Sequence, residues 1–176
     1  MANKILIIDT SILCVWLEVY GKETCGSGAN MWTKALVEKL IDREKDEGAI
    51  FVLPLAVIIE TGNHITNANQ RRHQTAKKLA DLMCLAADEQ SPWAAFTEQS
   101  ILWNADSLKQ LAQEWSDNAA QKISMGDITI KKVADFYGSM EKYHVEILTG
   151  DNGLKAFEPP VDTSKTIPKR RRNQTS

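Results

Sequence analysis

The feature that most restricts the fold is Ile5-Leu6-Ile7-Ile8, an unbroken apolar run rich in β-branched residues that stops at Asp9. A strand with one wet face alternates apolar and polar residues. A strand apolar at every position is buried on both faces, as in a parallel sheet covered by helices. Ala49 to Leu53 repeats the pattern, and Val145-Glu146-Ile147-Leu148 does so with one interruption. A fourth strand is predicted over 96–102. Helical spacing of apolar residues predicts helices over 11–20, 31–46, 54–66, 69–87, 105–121 and 126–142, with a short helix opening at Asp151. Thr10 and Ser11 lie at the first helix start, Pro54 suits a first turn, and Ser124 opens the helix that precedes the last strand. Strands alternating with helices in this order define an α/β chain, a three-layer α/β/α arrangement around a mainly parallel sheet. No internal repeat is present.

Apolar residues make up 43% and charged residues 25%, which excludes wholesale disorder. No apolar run approaches the ~20 residues of a membrane span, and Lys4 and Asp9 interrupt the N-terminal stretch too early for a signal peptide. Cys14, Cys25 and Cys84 are odd in number and form no C-x-x-C pair, so reduced thiols in a cytoplasmic protein are the simplest reading. Cys14, inside Ile12-Leu13-Cys14-Val15-Trp16, reads as core. From Glu158 onward the chain holds five basic and two acidic residues, which leaves the first 157 with 16 basic and 21 acidic, a net −5. That body does not fit a nucleic-acid binder by charge alone, but it suits a protein that concentrates carboxylates in one place. Residues 1–158 read as one domain and 159–176 as a basic tail carrying Lys169 to Arg172.

Open parallel sheets put their functional groups beyond the C-terminal ends of the strands. Asp9 directly follows the first strand, Asp151 follows the last across Thr149 and Gly150, Glu60 sits on the helix leaving the second, and Asp127 begins the helix leading into the last. Each has a plainer reading. Asp9 and Asp151 can cap helices, Ser124-x-x-Asp127 fits a capping box, and Glu60 can point to solvent. Four carboxylates at one sheet edge would repel one another, and a divalent cation removes that conflict. Mg²⁺ or Mn²⁺ prefers oxygen ligands and suits phosphodiester hydrolysis.

Four segments in order carry a resemblance: Ile7-Ile8-Asp9-Thr10-Ser11, Leu53-Pro54 through Ile59-Glu60, Gly126-Asp127-Ile128 through Ala134, and Leu148-Thr149-Gly150-Asp151-Asn152. Across residues 4–157 the chain resembles the PIN-domain ribonucleases, the fold shared with VapC-type toxins. The resemblance implies a 3-2-1-4-5 type sheet and a metal-dependent endoribonuclease in a toxin-like, processing or defence role. Asp9, Glu60, Asp127 and Asp151 would bind Mg²⁺ or Mn²⁺ and carry catalysis. Thr10, Ser11 and Thr149 would orient water or ligands, and Asn152 would touch substrate or a carboxylate. A homodimer and an antitoxin or other protein partner are further implications. The chain is longer than a small toxin, with extra material around 67–105. There Arg71, Arg72, Lys77 and Lys78 are candidate RNA contacts or, more plainly, a solvated helix face.

His64 follows Glu60 by four residues and can share its helix face, while His144 precedes the last strand and faces solvent. Gly26-Ser27-Gly28 lacks the Lys-Ser or Lys-Thr of a phosphate loop. No Ser-His-Asp or Cys-His arrangement has recognisable context. Two functions compete with the nuclease. One is a non-catalytic PIN-fold interaction module. The other is a phosphate-transfer receiver, which needs two adjacent acids after the first strand where this chain has Ile7-Ile8 before a single Asp9.

Overall fold

The computed structural model describes residues 3–94 and 96–160. The apolar run forms β1 (Asn3–Ile8), and Asp9 caps α1 (Thr10–Leu17) by accepting from the backbone N–H groups of Thr10 and Ser11. α1 ends at Glu18, which takes a left-handed conformation with φ of 60°. Two two-residue strands, β2 (Thr24–Cys25) and β3 (Trp32–Thr33), pair antiparallel around a 3-10 turn at Gly28–Asn30. The helix predicted from residue 31 therefore starts later, as α2 (Lys34–Asp46), because Trp32 and Thr33 are taken by that hairpin. Next come β4 (Ile50–Val52), α3 (Leu55–Asn67) and α4 (Arg72–Ala87). They are followed by a 3-10 segment over Phe96–Trp103, α5 (Ala105–Ala120), α6 (Met125–Gly138), β5 (Tyr143–Leu148) and α7 (Asn152–Lys155).

β1 is the centre of a three-stranded parallel sheet in the order β4-β1-β5. Its register sets Ile5 against Ile50 and Val145, and Ile7 against Val52 and Ile147. Ile5, Leu6, Ile7 and Ile8 are fully buried, as a strand covered on both faces requires. α6 packs on β5 and β1, α1 on α2 and α3, and α3 on α4 and α6. The chain is thus an α/β protein whose parallel sheet is flanked by helices.

Two predictions need correcting. The strand over 96–102 is absent. That stretch is 3-10, and its even positions, Phe96, Glu98, Ser100 and Leu102, give no consistent apolar face to a sheet. The pairing falls earlier: Phe51 donates to the Pro92 carbonyl at 2.8 Å, and Ala94 donates to the Phe51 carbonyl at 2.8 Å. Trp93 forms the single bridge to β4, and buried Gln99 donates to the Leu53 carbonyl at 3.2 Å where β4 ends. His144 is the second correction. It lies inside β5 opposite Lys4, half-buried, because the strand begins at Tyr143 rather than Val145.

On its outer edge β5 meets side chains. The Ile147 N–H donates to Glu158 Oε1 at 2.6 Å, and Lys155 Nζ donates to the Ile147 carbonyl at 3.1 Å. The basic cluster Lys169 to Arg172 lies outside the described residues. No helix among the described residues is long and apolar enough to cross a membrane.

Candidate active site

Because β1 and β5 run parallel and in register, their C-terminal ends deliver Asp9 and Thr149 to the same place. Asp9 is 6% exposed and is held by four donors. Thr10 N–H reaches Oδ1 at 2.6 Å, while Oδ2 accepts from Ser11 N–H at 3.3 Å, Ser11 Oγ at 2.6 Å and Thr149 Oγ1 at 2.8 Å. Ser11 Oγ also accepts from Gly150 N–H at 3.2 Å, which ties the loop after β5 to the start of α1.

Glu60 comes from the second turn of α3, and its Oε2 accepts from Thr10 Oγ1 at 2.8 Å. Its carboxylate lies against the backbone of buried Gly126, so closely that a Cβ at that position would overlap it. The missing Cβ of Gly126 is what lets the carboxylate come so close. Asp127, the next residue, forms the capping box with Ser124: its N–H donates to Ser124 Oγ at 3.0 Å, and its Oδ2 accepts from Ser124 N–H at 3.2 Å. Asp151 caps α7 by accepting from Gly153 N–H on Oδ1 at 2.7 Å.

Every capping alternative read from the sequence is therefore realised, and all four acids nonetheless line one cleft of about 330 Å³. Capping and ligation do not exclude each other. A carboxylate has two oxygens and about four lone-pair sites, and the hydrogen bonds of Glu60, Asp127 and Asp151 each occupy one oxygen. Glu60 Oε1, Asp127 Oδ1 and Asp151 Oδ2 accept no hydrogen bond among the described residues. Oxygen donors of this kind suit a hard divalent cation. Among the described residues no three His, Cys, Asp or Glu side chains stand ready-spaced around a metal ion.

The β2–β3 hairpin supplies wall residues that the sequence did not mark: Lys22 just before it, Thr24 and Cys25. His64, one turn after Glu60, also lines the cleft, as does Cys14 from α1. Burial pushes the Cys14 thiol up to about 11 and raises that of Cys25 as well. Gly150 is pressed against Cys25 Sγ, where a Cβ would come within 2.8 Å.

Asn152 lines a neighbouring groove instead of the cleft. The four basic candidates on and before α4 also lie outside the cleft lining. Lys78 pairs with Glu18 at 2.9 Å, Lys77 with Asp81 at 3.6 Å, and Arg72 Nε donates to the Ala68 carbonyl at 2.5 Å. Arg71 occupies the position before α4 in a left-handed conformation. These partners fit a solvated helix face. Of the residues missed, Gly126 had the clearest signal: a glycine at the second position of a helix whose neighbour Asp127 was already singled out. Comparisons with protein-family models, curated proteins and solved structures found no match to this chain.

Proposed function

We propose that the chain is a divalent-metal-dependent endoribonuclease of the PIN-domain kind. The observation that carries the reading is the convergence of Asp9, Glu60, Asp127 and Asp151 on one cleft at the C-terminal edge of a parallel sheet, three of them with a spare oxygen. A cation held by these four would offset phosphate charge and acidify water, the chemistry phosphodiester hydrolysis needs. The chain's own groups do the positioning. The hydroxyls of Ser11 and Thr149 and the N–H groups of Thr10 and Ser11 fix Asp9, and Thr10 Oγ1 fixes Glu60. Lys22 and His64 are the basic side chains of the lining, placed to meet an anionic substrate.

The 3-2-1-4-5 sheet belongs to the same reading. In it β4, β1 and β5 would be the middle three strands, and the Trp93 bridge to Phe51 is the support for a further strand beyond β4. A toxin-like role with an antitoxin, a homodimer and a cytoplasmic location extend the proposal. One observation favours the alternative of a non-catalytic interaction module: each of the four acids already has a hydrogen-bonding role.

Cleavage of a mixed RNA pool with Mn²⁺ or Mg²⁺ separates the two. Asn caps helices as well as Asp, so Asp9→Asn keeps α1 while removing one ligand charge. The nuclease requires metal-dependent cleavage that falls at least about a hundredfold in Asp9→Asn. A folded wild type that cleaves nothing, or a mutant that cleaves equally, favours the module.

A further inference from the structure

Beside the acid cleft lies a second, larger groove of about 630 Å³, lined by α2, the residues around β3, and the edge formed by β5 and α7. Its floor is apolar. Trp32 is half-buried, Leu148 is buried, and Met31 and Leu36 are each 48% exposed. Three basic side chains, Lys39, Arg43 and Lys155, stand around it with one acidic one, Glu146, which is paired with Lys155 and Lys4.

The groove and the cleft are two sides of one ridge. In the β2–β3 ladder Cys25 pairs with Trp32, and Cys25 lines the cleft while Trp32 lines the groove. Thr149 lines the groove while its hydroxyl donates to Asp9 at 2.8 Å. Asp151 lines the cleft and its neighbour Asn152 lines the groove. A chain that puts one phosphate at the acids passes over Thr149 and Gly150 into the groove.

We propose that this groove seats the unpaired nucleotides next to the phosphate held at the acids, with one base against the Trp32 indole. The substrate class is thereby single-stranded. Base stacking on an aromatic ring beside basic groups is the usual device for holding a single strand without reading its sequence. Lys39 has no ion pair among the described residues, so its charge is available to a phosphate. Arg43 is paired with Glu44 at 2.7 Å and reaches Glu47 at 4.0 Å but is 57% exposed, with donors left over for a further acceptor, whereas the three donors of Lys155 are taken by Glu146, the Ile147 carbonyl and Glu158, so it lends the groove only its charge. An apolar peptide would use the floor but would have no use for Lys39 and Arg43 or for continuity with the acids. The inference rests on the nuclease reading for the position of the phosphate, and it is tested without catalysis.

The test is fluorescence anisotropy of a short fluorescein-labelled single-stranded RNA of mixed sequence with the full chain in EDTA. Trp32→Ala is expected to weaken binding about tenfold and Trp32→Phe to restore most of it. The fully paired duplex of the same sequence should be indifferent to both. Lys39→Glu, an exposed helix position that leaves the core untouched, should weaken binding several-fold and lower the slope of log affinity against log salt by about 0.7 or more. The proposal is overturned if wild type does not bind the single strand, if Trp32→Ala and Lys39→Glu both bind like wild type, or if the duplex loses as much as the single strand. If Asp9→Asn cleaves normally while Trp32→Ala still loses binding, the acid site falls and the groove stands. Cleavage that needs Asp9, with binding indifferent to Trp32 and Lys39, does the reverse.

Discussion

At the start of β1, Lys4 Nζ lies 2.8 Å from Glu44 and 2.6 Å from Glu146, and Arg43 holds the other Glu44 oxygen at 2.7 Å. At the end of the same strand, Asp9 and three more acids meet in a cleft where the donors to Asp9 and Glu60 are backbone N–H groups and hydroxyls. The first group balances itself. Burial works against the Glu44 charge, but Lys4 and Arg43 outweigh it and hold the carboxyl below its ordinary value; Lys4 and Lys155 do the same for Glu146. The second group is held in place without being neutralised, because a hydroxyl or N–H fixes a carboxylate but leaves its net charge. The difference teaches where to look for function in an acidic chain: at the acids whose hydrogen bonds leave the charge standing.

The largest test of this contrast is Gly126→Ala. A methyl there displaces the Glu60 carboxylate, and misplacement of about 1 Å in a reacting assembly costs on the order of a hundredfold in rate. Metal-dependent cleavage should fall by that amount with the circular dichroism of wild type retained. Retained cleavage would mean that Glu60 has no part in the cleft's chemistry.

Glu44→Ala addresses the other end. Glu44 is 1% exposed, and its removal leaves Lys4 with Glu146 alone and Arg43 with only its 4.0 Å approach to Glu47. Stability should drop by roughly 2–3 kcal/mol in urea unfolding, with cleavage unchanged below the transition. A loss of cleavage in the folded variant would break the division between a structural and a functional end.

The smallest effect concerns Glu18, which ends α1 between Lys34 and Lys78, both at 2.9 Å. Their hydrogen bonds bring its carboxyl from the ordinary 4.5 down to about 2. A lowered folded value gives stability that is present above pH 4.5 and lost as pH falls towards 2. Glu18 is 37% exposed, so the contribution is slight. Urea midpoints of wild type and Glu18→Gln should differ slightly at pH 7 and converge as pH approaches 2. A gap that stays constant with pH would show that the Glu18 charge is irrelevant.

The sheet's skeleton was legible because burial on both faces leaves a plain signature: β1, β4 and β5 are the apolar runs. The β2–β3 hairpin left none. Its strands are two residues each inside a Gly- and Ser-rich stretch, too short for period-two alternation. Trp93 pairs through a single bridge, which no run of residues can announce. At the site, side chains beside strand ends could be read from spacing, whereas Lys22 and Cys25 arrive through the hairpin and Gly126 acts by having no side chain. The capping bonds of Asp9, Asp127 and Asp151 were readable one by one. That the bonds of Asp127 and Asp151 leave an oxygen each needed coordinates.

The outer edge of β5 has a consequence for how the protein behaves in crowded solution. Glu158 and Lys155 occupy the Ile147 N–H and C=O as a neighbouring strand would. An open strand edge is a template on which other chains polymerise. These two side chains close that template at Ile147, and a docking strand would have to break their bonds to the backbone and to each other. The same sheet that gathers the acids at its tip thus has one flank plugged at Ile147 by side chains in place of a strand.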